Sequence, residues 1–214
     1  MRRPLIEITR SGQKQIAWGY RNLHLAHENL LKLCLSGRLR TSTTEMKNFI
    51  SPVTNRQGLH FNDEVAKLFS YPGLDVHKRV SKIPGTTGLK NVGDLDVLVA
   101  DSLRKRLDVI ECKDLSNART PHEMRLEIEN LLSSERVSNP ISLRHHKRVT
   151  WIKQNLQSVL KWLKIKETKD WRVDGYVVVD HPLMTPYLRQ MPMRVIPFAE
   201  LEGELLKKHG DRAK

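Results

Sequence analysis

The chain has 214 residues, enough for one domain with a sizeable core and a smaller helical appendage. Lys and Arg number 37 against 24 Asp and Glu, a formal net charge of +13, and such an excess favours a polyanionic partner, most simply nucleic acid. There is no run of transmembrane length, no apolar signal core after Met1-Arg2-Arg3-Pro4, and no C-x-x-C or zinc spacing between Cys34 and Cys112, so a membrane-spanning, secreted or disulfide-built protein is not expected, whereas reduced thiols and a cytoplasmic location are.

Residues 13–36 carry Ile16, Tyr20, Leu23, His27, Leu30, Leu31 and Cys34 at helical spacing. They predict an amphipathic helix, with Gly37 as its stop. Residues 38–57 are polar and read as a linker, with at most a short turn of helix around Glu45–Phe49. Residues 58–70 predict a second helix with Phe61, Val65, Leu68 and Phe69 as its apolar stripe. Glu64 lies at the border of that stripe, while Asp63 and Lys67 point away from it. The expected division is an N-terminal helical segment over 1–57 and a main domain over 58–214. Tyr71-Pro72-Gly73 breaks the helix, residues 74–83 predict a strand, and 84–88 a loop.

Next comes the most informative stretch, Gly93-Asp94-Leu95-Asp96-Val97-Leu98, followed by Ile110-Glu111-Cys112-Lys113. A strand rejects charge on a core-facing side unless the charge has a partner or a job. Here the charges recur with a period of two, so they share one face of a pleated strand. If 94–101 and 107–113 form an antiparallel hairpin, a two-residue turn at Leu103-Arg104 pairs Asp96 with Glu111. Any even-length turn keeps Asp94, Asp96, Glu111 and Lys113 on one face, and an odd turn separates them. The opposite face then carries Leu95, Val97 and Val99 from the first strand and Asp108, Ile110 and Cys112 from the second. Two carboxylates with a nearby ammonium suit a hard divalent cation and a water held beside it.

Thr120-Pro121-His122-Glu123 combines a capping box with Pro at the first helical position, so Glu123 reads as a cap. A longer helix is expected from about Ser142, with Val149, Ile152, Leu156, Val159, Leu160 and Leu163 inward and Arg144, Lys147, Arg148, Lys153, Lys161 and Lys164 decorating the rest. Trp151 and Trp162, about three turns apart, read as packing groups. His145 and His146 are adjacent on a helix and so point about 100° apart, which argues against joint metal ligation. Residues 171–180 predict a buried strand, 194–197 a short last strand and 199–208 a terminal helix. A hairpin is antiparallel, whereas a return through helices favours a parallel partner, so the sheet should be mixed.

Gly-Asp-Leu-Asp-Val-Leu, a turn, then Val-Ile-Glu-Cys-Lys resembles the PD-(D/E)xK phosphodiesterases, the restriction endonuclease-like nucleases. The specific resemblance covers about twenty residues, with Gly93-Asp94-Leu95 standing where the family's name has Pro. It implies an α/β fold with a restriction endonuclease-like core, a mixed central sheet flanked by helices. It implies a Mg²⁺-dependent deoxyribonuclease, with Mn²⁺ able to substitute, in defence against foreign DNA or in repair. Asp96 and Glu111 would be metal ligands, joined by the Cys112 carbonyl and, directly or through water, by Glu64. Asp94 competes with Asp96, and the family pattern favours the last Asp. Lys113 would orient the attacking water or neutralise charge developing on the phosphate. The charge pattern places DNA on Arg144, Lys147 and Arg148, or on Lys78, Arg79, Lys82 and Lys90 beside the site. Cutting both strands with one site per chain favours a homodimer or a larger complex. The rival readings are a DNA-binding module with an inactive site and a basic interaction domain; as a structural ladder, the charges would merely pair across a solvated sheet face.

Overall fold

The structure, a computed structural model, describes residues 5–35, 39, 41–115, 118, 120–132 and 137–209, the last four without their side chains. It divides into two compact units, residues 1–57 and 58–214. Gly37, the expected helix stop, lies outside the described residues.

The first unit opens with a hairpin, not a helix. β1 (Leu5–Arg10) pairs antiparallel with β2 (Gln13–Trp18), from Leu5 opposite Trp18 to Arg10 opposite Gln13. The two-residue turn between them is Ser11-Gly12, at φ 53° and 79°. Both angles are positive, the conformation whose twist matches that of a hairpin and which glycine adopts without strain. A Lys14–Glu7 ion pair of 2.9 Å spans the strands. The helix expected from residue 13 therefore starts only at Tyr20 (α1, Tyr20–Leu35). The expected linker is also corrected, because α2 runs unbroken over Thr44–Leu68 despite Pro52. Thr43 caps its start by accepting the Met46 N–H at 3.2 Å. The Thr54 hydroxyl donates to the Ile50 carbonyl in the turn around Pro52.

The second unit is built on a five-stranded sheet in the order β3 (Leu74–Val80), β4 (Leu95–Asp101), β5 (Arg106–Lys113), β6 (Arg172–Val179), β7 (Arg194–Pro197). β3, β4 and β5 are mutually antiparallel neighbours, and β5, β6 and β7 run parallel. The mixed α/β sheet expected from the crossover argument is thus the one observed. A helical turn, α3 (Leu89–Val92), precedes β4. The crossover from β5 to β6 carries α4 (Pro121–Leu131), α5 (Ile141–Gln154) and α6 (Leu156–Trp162). The single long helix expected there breaks at Asn155, whose side chain donates to the Trp151 carbonyl at 2.9 Å. The turn α7 (Thr185–Leu188) and the helix α8 (Phe198–His209) flank β7. The capping box forms as expected: the Glu123 N–H donates to Thr120 Oγ1, and the Thr120 N–H to Glu123 Oε2. Glu123 is a cap.

Both faces of the sheet are buried, which explains the nearly continuous apolar runs of its central strands. On one face Val97, Val99, Ile110, Cys112, Tyr176 and Val178 pack with Phe61 and Val65 of α2, with Phe69 just beyond its end, and with Leu201 and Leu205 of α8. On the other, Leu98, Ala100, Leu107, Val109 and Val173 meet Val149 and Ile152 of α5 and Val159 and Leu160 of α6. Gly175 in β6 sets how closely α5 approaches. A Cβ there would lie 2.3 Å from Val149 Cγ2 and 3.0 Å from His145 Nε2. The tryptophans are packing groups, as their spacing suggests. Trp151 is buried and donates to the Thr87 carbonyl, and the Trp162 ring lies 4.7 Å from that of His77. Among the described residues no helix is long and apolar enough to cross a membrane.

Candidate functional site

The β4–β5 pairing runs from Asp101 opposite Arg106 to Val97 opposite Ile110. Its offset is the one a two-residue turn at Leu103-Arg104 requires, and one step further it sets Asp96 against Glu111. The ladder stops before that step. The Cys112 N–H donates to Asp96 Oδ2 at 2.9 Å instead of to a β4 carbonyl. A side-chain carboxylate has thus entered the gap where the strands part. Lys113 Nζ lies 2.8 Å from Glu111 Oε1 and 3.8 Å from Asp96 Oδ2. Asp96, Glu111 and Lys113 therefore converge, on the face that carries Leu98 and Val109. Asp94 sits exposed before β4, outside this group.

The acidic face is not a solvated one. Glu111 is only 1% exposed, because α5 lies over it. From that helix Arg148 donates through Nη1 to Glu111 Oε2 and through Nε to the Val92 carbonyl at 3.1 Å. His145, fully buried, places Nδ1 3.9 Å from the same Glu111 oxygen. Gly93 makes room for the guanidinium. A Cβ there would fall 2.8 Å from Arg148 Nη2, and the residue's φ of +88° suits glycine alone. Arg148, read from sequence as a DNA contact on the surface, is turned inward to the carboxylates. One signal could have found it: Arg148 and His145 stand one turn before the Val149–Ile152 stripe, on the same side of the helix.

The electrostatics follow from burial and from these cations. Burial pushes the Asp96 carboxyl up, and the nearby Glu111 charge adds to the rise. Burial also acts to raise Glu111, but Lys113 and Arg148 outweigh it and hold that carboxyl below its usual value. The two acids are thus driven apart, with Asp96 the proton-retaining member. Burial lowers His145 to about 4, against the pull of Glu111, so its imidazole is neutral at pH 7. The Cys112 thiol is pushed well up by burial, with Asp96 and Glu111 adding to the effect. Its side chain belongs to the opposite apolar face, as the alternation predicts.

The other expected site residues lie elsewhere. Glu64 is half-buried on α2, whose Phe61 and Val65 pack on the sheet face opposite Asp96 and Glu111. Among the described residues no group of three His, Cys, Asp or Glu forms a metal-binding cluster, so Glu64 does not complete one. Asp63 does not stand free on the surface; it accepts from Lys78 at 2.7 Å and Arg79 at 2.8 Å. Those two basic residues are thereby engaged, whereas Lys82, Lys90 and Lys147 are exposed and Arg144 is half-buried.

Fold and site together define a mixed α/β protein with a half-buried carboxylate–lysine centre beside a basic helix. A family model described as anti-phage protein Upx-like matches residues 1–178, and the chain belongs to that family. The match takes in the first unit, the second as far as residue 178, and every residue of the centre. No curated protein and no solved structure matches the chain.

Proposed function

We propose that this anti-phage protein is a Mg²⁺-dependent deoxyribonuclease of the PD-(D/E)xK type. The observation that supports it is the meeting of a buried carboxylate, a half-buried one and a lysine ammonium at the point where β4 and β5 separate. Two acids side by side repel each other and favour a divalent cation between them. Mg²⁺ needs only one or two protein carboxylates and keeps several waters, so Asp96 and Glu111 fit it without Glu64. Mn²⁺ fits the same donors, and by the family resemblance the Cys112 carbonyl would join them. Bound there, the ion would lower the pKa of a water and offset the charge of a phosphodiester. The chain's own groups do the rest. Glu111 steadies Lys113, whose ammonium lies close to both acids and can orient the attacking water or meet charge developing on phosphate. The Cys112 N–H fixes the Asp96 carboxylate in the gap.

The test is incubation with linear, circular, single-stranded and branched DNA in Mg²⁺, Mn²⁺ or EDTA. Cleavage that needs the metal and vanishes in Glu111→Gln is the expected result. A second reading is favoured by the two cations already on Glu111: a DNA-binding module that does not cut. Salt-sensitive binding without cleavage of any substrate would select it. On either reading, charge reversal at the exposed Lys82 and Lys90 should flatten the salt dependence of binding, by about 0.9 in log–log slope for each phosphate no longer neutralised. An unchanged slope would move the DNA elsewhere.

A further inference from the structure

We propose that Arg148 is a tethered competitor of the metal ion, a positioning residue that holds Glu111 and must yield Oε2 for a divalent cation to bind. This role rests on the metal reading of Asp96 and Glu111. Glu111 has two oxygens, and both face cations of the chain itself: Oε1 faces Lys113, and Oε2 receives Arg148. A hard cation prefers an ionised oxygen and is repelled by a neighbouring guanidinium. Lys113 sits on the next-but-one residue of the same strand and leans toward both acids. Arg148 comes from a different element, α5, and touches only the Glu111 side of the pair.

The anchoring of Arg148 shows that its place is built. Its Nε donates to the Val92 carbonyl, and Gly93 leaves the space that Nη2 fills. The side chain is therefore held by a bond that does not involve the carboxylates. Its Nη1 can leave Glu111 while Nε stays on Val92, which confines the guanidinium to the rim of the centre. Arg148 thus keeps Glu111 aimed, while occupying an oxygen that the metal requires. A bond that must open first lowers the apparent affinity by the fraction of time it is open.

The two consequences have opposite signs, which a merely structural role would not give. In Arg148→Gln the full-length protein should melt at a lower temperature in EDTA, yet bind Mn²⁺ about tenfold more tightly by calorimetry. Arg148→Lys, which keeps the charge but loses the fork, should lie between. Wild-type protein gives a reading that needs no variant: saturation with Mg²⁺ should shift the Arg148 side-chain Nη resonances, with Nε–H retaining its bond to Val92. Equal or weaker Mn²⁺ binding in a folded Arg148→Gln, or unmoved Nη resonances at saturation, overturns the competition and leaves the metal site standing. If neither wild type nor Arg148→Gln binds Mn²⁺, the metal reading itself falls, and the competition with it.

Discussion

β5 carries two buried carboxylates three residues apart, and they have opposite fates. Asp108 is 2% exposed and Glu111 is 1% exposed. Asp108 lies within the intact ladder, opposite Val99 on one side and Asp174 on the other. Arg106 Nε donates to it at 2.8 Å, and the same guanidinium reaches Asp174 at 3.0 Å. One guanidinium from β5 itself serves both acids, within adjoining strands. Glu111 lies where the ladder has ended, beside the half-buried Asp96, under cations from β5 and α5. Burial of an acid is therefore not what marks a site. An opened ladder and cations drawn from distant elements mark it.

The largest expected effect tests that contrast directly. Asp96→Asn and Glu111→Gln should each abolish metal-dependent cleavage while leaving DNA binding intact or tighter, since a negative charge facing phosphate is removed. Asp108→Asn should leave cleavage in place but lower unfolding free energy by about 2 kcal/mol in denaturant titration, because it removes the charge from its hydrogen bond with Arg106. Reversed outcomes, with Asp108 needed for cutting and Glu111 not, would break the comparison. Lys113→Ala should come next, with a rate about a hundredfold lower. Calorimetry should show that it still binds Mn²⁺, since an ammonium donates but does not ligate. Abolished metal binding with normal turnover at saturating metal would contradict the assigned role.

Gly175→Ala tests the helix that covers Glu111. Its methyl would press on Val149, and overpacking of this kind costs about 2 kcal/mol in denaturant titration. A loss below about 0.5 kcal/mol would show that α5 can slide away from the sheet. The smallest effect belongs at the surface. The Lys78 hydrogen bond holds the Asp63 carboxyl below its usual range, with Arg79 assisting. A carboxyl depressed by folding stabilises above its unfolded pKa, near 3.8, and that contribution is lost as pH falls through the folded value. Asp63→Asn should therefore cost no more than about 1 kcal/mol at pH 7, given how exposed the pair is, and nothing at a pH below both values. A larger loss at pH 7 would give this pair the weight of a buried one.

The hairpin that makes the centre was legible because period-two alternation and turn length together fix register. That placed Asp96 against Glu111 and turned Cys112 to the other face. The N-terminal hairpin escaped, because Ile16 and Tyr20 also fit helical spacing with the residues that follow. Ser11-Gly12, with two positive φ angles, decided against it. The first half of α2 escaped because its Pro and polar residues imitate a linker. Glu64 was placed correctly at the margin of its stripe, but no periodicity says which face of a sheet a helix will cover. Arg148 escaped for the same reason in reverse. One basic residue among many on α5 becomes distinctive only when Gly93 and Gly175 bring the helix close.

The amide of Cys112 offers a use beyond architecture. Its N–H ends on a carboxylate, whereas its neighbours in a ladder end on carbonyls. An amide proton bonded to an ionised acid resonates far from one bonded to a neutral acid, and it exchanges with solvent at a different rate. This backbone position is therefore a native spectroscopic probe of Asp96, readable in the unlabelled side-chain background of an ¹⁵N spectrum. It would report the charge of the acid, and the arrival of any cation beside it, without a single substitution in the centre.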